Sequence, residues 1–110
     1  MMEFDEYQRK AGKTALYPDL GSNFVYPTLG LAGEAGEISN KVKKIIRDKG
    51  SVVDDVTRHD IKDELGDVLW YVAQVATEFK LSLEEIAGSN IEKLASRAQR
   101  NRIQGSGDKR

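Results

Sequence analysis

Two stretches of this sequence place apolar residues at the spacing of one face of an α-helix. In each stretch the apolar residues follow one another at intervals of three or four, and the second stretch repeats the first after thirty residues. The two apolar stripes are Leu31, Ala35, Ile38, Val42 and Ile45, then Ile61, Leu65, Val68, Val72 and Val75. Such intervals keep side chains on one side of a helix, whereas strands need alternation. The chain is therefore predicted to be all-α, with two long helices that pack through these stripes.

Capping and turn residues predict where the helices begin and end. The predicted helices span about 4–16, 28–48, 60–80 and 82–100, and no element is assigned to 51–59. Thr28 is a candidate N-cap for the second helix, and Ser82 with Glu85 forms a capping box for the fourth. Residues 104–110 are polar and glycine-rich, so we expect them to be disordered and residues 1–103 to form one domain.

The composition limits the classes of protein to consider. The chain has 110 residues and a net charge of -1, so neither nucleic acid nor a membrane surface is an expected partner. The lack of cysteine excludes disulfides and thiol catalysis. No segment resembles a signal peptide or a membrane span, and we expect a cytoplasmic protein. A chain this short buries a small core, which favours association with copies of itself.

Acidic residues follow the same repeat as the apolar stripes. The shift of thirty residues carries Glu34 to Glu64 and Glu37 to Asp67, and each pair lies at the border of its stripe. Helices packed through the stripes could bring the four carboxylates towards one place. A set made only of oxygen ligands suits a hard cation, Mg²⁺ or Mn²⁺. A di-iron site is not expected, because His59 is the only histidine and lies outside any Glu-x-x-His motif.

The same acidic residues could simply be surface charge. Glu37 and Lys41 have the i,i+4 spacing of an ordinary helical ion pair. The neighbouring glycines favour a site, because glycine in a helix interior costs about 1 kcal/mol relative to alanine and leaves room for a ligand. These glycines are Gly33, Gly36 and Gly66.

Cationic residues on two helices would suit a polyphosphate. Lys41 and Lys44 follow the acidic residues on the second helix. On the fourth helix, Asn90, Lys93 and Arg97 border the apolar row. The alternative is that these cations only snorkel from an amphipathic helix.

The order of these motifs carries a family resemblance. GEAGE and DELGDVLWYV, which contain Glu34-x-x-Glu37 and Glu64-x-x-Asp67, resemble the paired acidic signature of MazG-like nucleoside triphosphate pyrophosphohydrolases, of the all-α NTP pyrophosphatase superfamily. Tyr7-Gln8 and the segment 14–18 are similar to the family's first helix, and Asn90-x-x-Lys93-Leu94-x-x-Arg97 is similar to its last. The chain resembles a single-domain, stand-alone member with a four-helix-bundle-like fold.

The resemblance implies a reaction and a set of site residues. The reaction is Mg²⁺-dependent hydrolysis of a ribo- or deoxyribonucleoside triphosphate between the α and β phosphates, giving a monophosphate and pyrophosphate. The implied metal ligands and catalytic residues are Glu34, Glu37, Glu64 and Asp67, with Glu37 our choice for the residue that acts on the water. The implied substrate-binding residues are Gln8, Lys41, Lys44, Tyr71, Asn90, Lys93 and Arg97, and the loop aromatics Phe24 and Tyr26 are candidates to complete the base pocket. Housecleaning or control of a nucleotide pool is the expected role.

One aromatic residue bears on assembly. Trp70 lies opposite the apolar stripe of the third helix, and we expect another subunit to cover it, in a homodimer or homotetramer as the resemblance implies. Trp70 could instead line a nucleotide pocket between subunits.

Two other functions stay open. The chain could be a non-catalytic helical module that binds a partner protein, with Trp70 as a contact residue. It could also keep the fold and act on phosphoribosyl-ATP or a modified nucleotide.

Overall fold

The computed structural model describes residues 1–100, and the predicted disordered tail 104–110 lies outside them. Within this range the architecture is all-α, as predicted, with four helices and no strand. The helices are α1 (Phe4–Gly12), α2 (Val25–Lys49), α3 (Asp55–Glu78) and α4 (Leu83–Gln99). Helices α2 and α3 form a long hairpin, α1 packs against α3, and α4 packs against α1.

Helix α1 ends four residues before the predicted Leu16. After Gly12 the backbone tightens into a turn, in which the Thr14 hydroxyl donates to the Ala11 carbonyl at 2.7 Å. This bond satisfies one of the last carbonyls of the helix, which have no partner within it. The prediction was wrong because the apolar pattern continues beyond the last helical residue.

Helix α2 begins at Val25, so the prediction that Thr28 is its N-cap was wrong. Its N-cap is Phe24, which makes no side-chain cap bond; one residue earlier, the Asn23 side-chain oxygen accepts the Tyr26 N–H at 3.1 Å, and the Thr28 hydroxyl donates to the Phe24 carbonyl. Pro27 fits in this first turn because its missing N–H would have no helical acceptor there. At the other end, Gly50 adopts a left-handed conformation with φ of 58° and ends the helix.

Helix α3 begins at Asp55, five residues before the predicted start. The Asp54 carboxylate caps it by accepting the Thr57 N–H at 2.8 Å. Helix α4 begins at Leu83, as predicted, and the Ser82 hydroxyl accepts the Glu85 N–H at 3.2 Å. The serine and aspartate caps are local signals, and only the second was missed.

The face of α3 that carries Trp70 is covered by the same chain. Trp70 packs against a small core of Ala11, Ala73 and Leu83, and its indole N–H donates to the Thr14 hydroxyl at 2.8 Å. The prediction that another subunit is needed to cover Trp70 was wrong, because the short helix α1 lies on this face.

The predicted apolar stripes are only partly buried. Val42 and Leu65 are 43% and 52% exposed, and Ile46 beside them is 62% exposed. Residues of both stripes line an open groove between α2 and α3, with Val53 at its edge. The two long helices therefore leave a continuous apolar surface uncovered within one chain.

Candidate metal and nucleotide site

Three of the four predicted acidic ligands meet where α2 and α3 pack. Glu34 comes from α2, Glu64 and Asp67 come from α3, and one oxygen of each lies within 4.8 Å of the others. The i,i+3 spacing puts Glu64 and Asp67 on one face of α3, and the antiparallel hairpin places Glu34 opposite them. We call these three residues the carboxylate cluster.

Like charges dominate the carboxylate cluster. The pKa of Glu34 is raised, first by its burial and then by hydrogen bonding to Glu64 and the negative charges of Asp67, Glu64 and Glu37. The cationic group beside the cluster is Lys41, whose Nζ lies 3.9 Å from Glu64 Oε1. Both side chains of this pair are partly buried, and 3.9 Å is longer than a hydrogen bond.

One oxygen of the cluster is buried without a donor. Glu64 Oε2 is inaccessible to solvent and accepts no hydrogen bond among the described residues, unless Glu34 is protonated and donates to Glu64. A buried charged oxygen left without a partner is costly. The arrangement therefore fits a divalent cation, because a cation would satisfy this oxygen and remove the repulsion.

Glu37 lies outside the carboxylate cluster. It is exposed on the next turn of α2, near enough for its charge to raise the pKa of Glu34. The structure does not bring its carboxylate into the set of mutually close oxygens. Its predicted roles as ligand and as the residue that acts on the water stay predictions.

Tyr71 borders the carboxylate cluster, as its predicted substrate contact requires. Its pKa is raised by burial, then by Tyr26, and also by the charges of Glu34 and Asp67. The ring packs directly on Gly30 of α2, where any Cβ would overlap it. Sequence reasoning missed Gly30, because a glycine needed for close helix packing cannot be told from others in one sequence.

The glycines that the sequence singled out have a different environment. At Gly33, Gly36 and Gly66 an added Cβ would meet no atom within 4 Å. Packing within the chain therefore does not require glycine there, and the space beside the acidic residues is open.

Three of the four lysines of α2 line a small cleft next to the carboxylate cluster. Lys41, Lys44 and Lys49 share it with Thr57 and Asp60 of α3. Lys49 Nζ donates to the Thr57 hydroxyl at 2.8 Å, so it is held in place by α3. Lys49 was not predicted, although it follows Lys41 and Lys44 towards the end of α2.

The other predicted substrate residues are not gathered at the cluster. The Gln8 amide donates to the Thr77 hydroxyl and the Leu81 carbonyl and accepts the Leu83 N–H, so it joins α1 to the α3–α4 turn. Asn90 and Lys93 are exposed on α4 and Arg97 is buried, and α4 packs on α1 rather than on α2. Their contacts with substrate stay predictions.

One residue near the cluster was not chosen from the sequence as a site residue. The pKa of Tyr7 on α1 is raised by burial and by the charge of Asp67. Tyr7 therefore lies on the α1 side of the cluster. Helix α1 contacts α3 through residues that are far apart in the sequence, and a local sequence pattern does not predict such contacts.

Comparison with known proteins decides the family. Residues 27–101 match the model of the MazG nucleotide pyrophosphohydrolase domain, a range that contains the whole carboxylate cluster. The chain belongs to the MazG family. It is also 50% identical over 114 residues to the Gene 37 protein of Mycobacterium phage L5, covering 99% of this chain and 100% of the phage protein. No solved structure matches.

The comparisons agree with the predicted family and fold. Membership suggests a hydrolase that acts on nucleotides with a divalent metal ion. In the part of the chain that the structure describes, none of the helices has the length and apolarity needed to cross a membrane.

Proposed function

We propose that this MazG-family protein is a Mg²⁺-dependent pyrophosphohydrolase of nucleoside triphosphates, with deoxyribonucleotides among its substrates. A water molecule cleaves the bond between the α and β phosphates, and the products are a nucleoside monophosphate and pyrophosphate. The observation that carries the proposal is the carboxylate cluster, in which a buried oxygen of Glu64 has no donor while the carboxylates are ionised. The role is housecleaning or control of a nucleotide pool in the cytoplasm.

The residues of the site have distinct tasks in this proposal. Glu34, Glu64 and Asp67 hold the metal, with Glu37 from the next turn as a further ligand or as the group that orients the water. When bound, Mg²⁺ supplies positive charge that stabilises the phosphates and lowers the pKa of a bound water; Mn²⁺ would have similar chemistry.

Positive side chains beside the cluster complete the phosphate site. Lys41 and Lys44 lie along α2 from Glu34 and would neutralise the remaining phosphate charge. Tyr71 borders the cluster and Tyr26 lies beside Tyr71, and the sugar and base would lie there.

Association of two chains is part of the proposal. The exposed groove between α2 and α3 is lined by Ile38, Val42, Ile45, Ile61 and Leu65, and a second copy would cover it. A tetramer would pair two such dimers. Light scattering after size exclusion should give a dimer or tetramer for the native chain and a smaller species for Leu65→Lys, whereas a native monomer would contradict the proposal.

The test of the reaction is pyrophosphate release from each of the common ribo- and deoxyribonucleoside triphosphates, with Mg²⁺ and with EDTA. Identification of the nucleotide product separates cleavage after the α phosphate from cleavage after the β phosphate. Metal-dependent release of pyrophosphate with a monophosphate product is the expected result. Activity only on phosphoribosyl-ATP or a modified nucleotide would mean that the common triphosphates are not the substrates. A folded protein without metal binding or turnover would favour a non-catalytic helical module.

A further inference from the structure

The polar face of α3 continues well beyond the acidic motif. Side chains at intervals of three and four run along it from the carboxylate cluster to the end of the helix. They are Glu64, Asp67, Tyr71, Gln74 and Glu78. Gln74 is buried, which is unusual for its residue type, whereas Asp67 is exposed and the other three are half-buried, so the face enters the fold towards the end of the helix. The last member, Glu78, has no part in the site described so far.

Glu78 anchors the loop that joins α1 to α2. One carboxylate oxygen accepts the Tyr17 hydroxyl at 2.5 Å and the Gly21 N–H at 2.8 Å, and the other accepts the Asn23 N–H at 2.8 Å. These bonds join residues more than fifty positions apart in the chain. They hold the pKa of Glu78 below its usual value, with the Tyr17 bond as the largest cause. We call this carboxylate and its three donors the loop anchor.

The loop anchor determines where Tyr26 lies. The Tyr17 ring stacks on the Tyr26 ring with 4.9 Å between centroids and 17° between planes. Asn23, whose N–H is bound by Glu78, also uses its side-chain oxygen to cap the Tyr26 N–H. Both the ring and the backbone of Tyr26 are thus held by residues that Glu78 binds.

Tyr26 in turn lies beside Tyr71. Tyr26 is close enough to raise the pKa of Tyr71. The charges of Glu34 and Asp67 in the carboxylate cluster also raise the pKa of Tyr71. Tyr71 cannot shift towards α2 without meeting the Gly30 backbone, on which it packs. Hydrogen bonding and ring stacking therefore link Glu78 through Tyr17 to Tyr26, which lies next to Tyr71 at the edge of the cluster.

We propose that Glu78 is a positioning residue of the nucleotide site, which acts by anchoring the 17–23 loop so that Tyr26 and Tyr71 are held beside the carboxylate cluster. The inference rests on the proposed function for its consequence in catalysis. It does not place Glu78 in contact with substrate or metal. The expected effect is therefore on substrate binding rather than on the chemical step.

The first test compares the kinetics of Glu78→Gln, Tyr17→Phe and a matched control, Glu6→Gln. Glu78→Gln removes the charge that the three donors share, and Tyr17→Phe removes one donor but keeps the ring. Glu6 is paired with Lys10 on the exposed side of α1, so its replacement removes the same charge without touching the loop. For the substrate that the native enzyme prefers, we expect KM to rise about 3- to 30-fold in Glu78→Gln and less in Tyr17→Phe, with kcat within about threefold.

The second test monitors the surroundings of Tyr71 by NMR and does not depend on enzymatic activity. The native chain and the three variants are labelled with 3-fluorotyrosine, and each of the four tyrosine signals is assigned by a Tyr→Phe change. In Glu78→Gln the ¹⁹F signals of Tyr17 and Tyr71 should both shift, and in Glu6→Gln neither should. If Glu78→Gln fails to fold, Tyr17→Phe gives the same comparison with a milder change.

The outcomes separate this inference from the proposed function. An active native enzyme with unchanged KM in the folded loop variants, or an unmoved Tyr71 signal, overturns the positioning role and leaves the reaction in place. A native chain that hydrolyses no nucleotide, with a Tyr71 signal that still moves in Glu78→Gln, overturns the reaction and leaves Glu78 as the residue that positions Tyr71.

Discussion

The carboxylate cluster and the loop anchor share one face of α3, and their carboxylates have opposite environments. At the carboxylate cluster, Glu34 and Glu64 are half-buried and face other acids, and the pKa of Glu34 is raised. At the loop anchor, Glu78 is also half-buried but accepts three hydrogen bonds, and its pKa is lowered. The degree of burial does not distinguish these carboxylates, because it is similar at both places. The number of hydrogen-bond donors that face them does. A carboxylate group with too few donors is suited to a cation, and one with its donors in place is suited to hold structure.

The strongest test of this contrast is Glu64→Gln. Turnover should fall at least about 100-fold, because the substituted amide is a poor ligand for Mg²⁺. Without metal, the melting temperature should stay equal or rise, since the change removes a like charge next to Glu34. Pyrophosphate release and thermal unfolding in EDTA measure the two effects.

Asp63→Asn is the matched control for this variant. Asp63 neighbours Glu64 on α3 but is exposed and paired with His59. It should keep activity within about twofold, as expected for a surface substitution. Equal activity in Glu64→Gln and Asp63→Asn would contradict the assignment of the cluster.

Mg²⁺ itself should act on one carboxylate group and not on the other. At a concentration 100 times its dissociation constant, a metal that binds only the folded chain stabilises it by about 2.7 kcal/mol. We expect Mg²⁺ to raise the melting temperature of the native chain and of Glu78→Gln, and EDTA to reverse the rise. Glu64→Gln should show little response. A response of the same size in all three proteins would place the metal elsewhere.

Two glycine substitutions compare a position packed against Tyr71 with a position that faces open space. Gly30→Ala puts a Cβ into the Tyr71 ring and should lower the free energy of unfolding by about 1–3 kcal/mol. Gly33→Ala meets no atom and should raise it by about 0.5–1 kcal/mol, because alanine favours the helix. Urea unfolding measures both.

The same glycine pair bears on the site. If Gly33 leaves room for substrate, Gly33→Ala should also raise KM although the protein is more stable. A more stable variant with native kinetics would show that Gly33 has no role in binding.

The loop anchor should make the free energy of unfolding depend on pH. Because the pKa of Glu78 is lowered in the folded chain, its stabilisation is fully present above the unfolded pKa of about 4.3 and is lost as the pH falls through the folded value. Glu78→Gln should therefore cost about 1–2 kcal/mol near pH 7 and less below about pH 4. Urea unfolding at pH 7 and pH 3.5 measures the difference.

Glu6→Gln is again the control, since its exposed pair with Lys10 contributes little at either pH. If Glu78→Gln lowers the free energy of unfolding equally at pH 7 and pH 3.5, the charge of Glu78 does not hold the loop.

The parts of the fold that could be predicted rest on local signals. The spacing of apolar residues predicted four helices, and the Ser82 cap predicted the start of α4. The thirty-residue repeat predicted that acids of α2 and α3 would meet, and three of them do. The start of α2 was predicted wrongly because Asn23 and Thr28 can both accept a backbone N–H of a first turn, and the Asn23 bond forms in the loop that Glu78 anchors.

The remaining features depend on contacts between distant parts of the chain. The crossing of α2 and α3 decides that Glu34 enters the cluster while Glu37, one turn further along, stays outside it. The position of α1 decides that Trp70 is covered within the chain, and it draws Gln8 to the α3–α4 turn instead of the cluster. No periodicity in α3 distinguishes Glu78 from Glu64, since both follow the same spacing.

The sequence by itself determined the helical architecture and the residue types available for a metal site, because helix periodicity and capping act over a few residues. Only the tertiary structure decided which carboxylates meet one another and which meet donors. The pKa of an acid depends on burial and on neighbours within a few ångströms, and those neighbours come from other helices and from the loop. That is why Glu34 and Glu78, both acids on polar helix borders, have pKa values shifted in opposite directions.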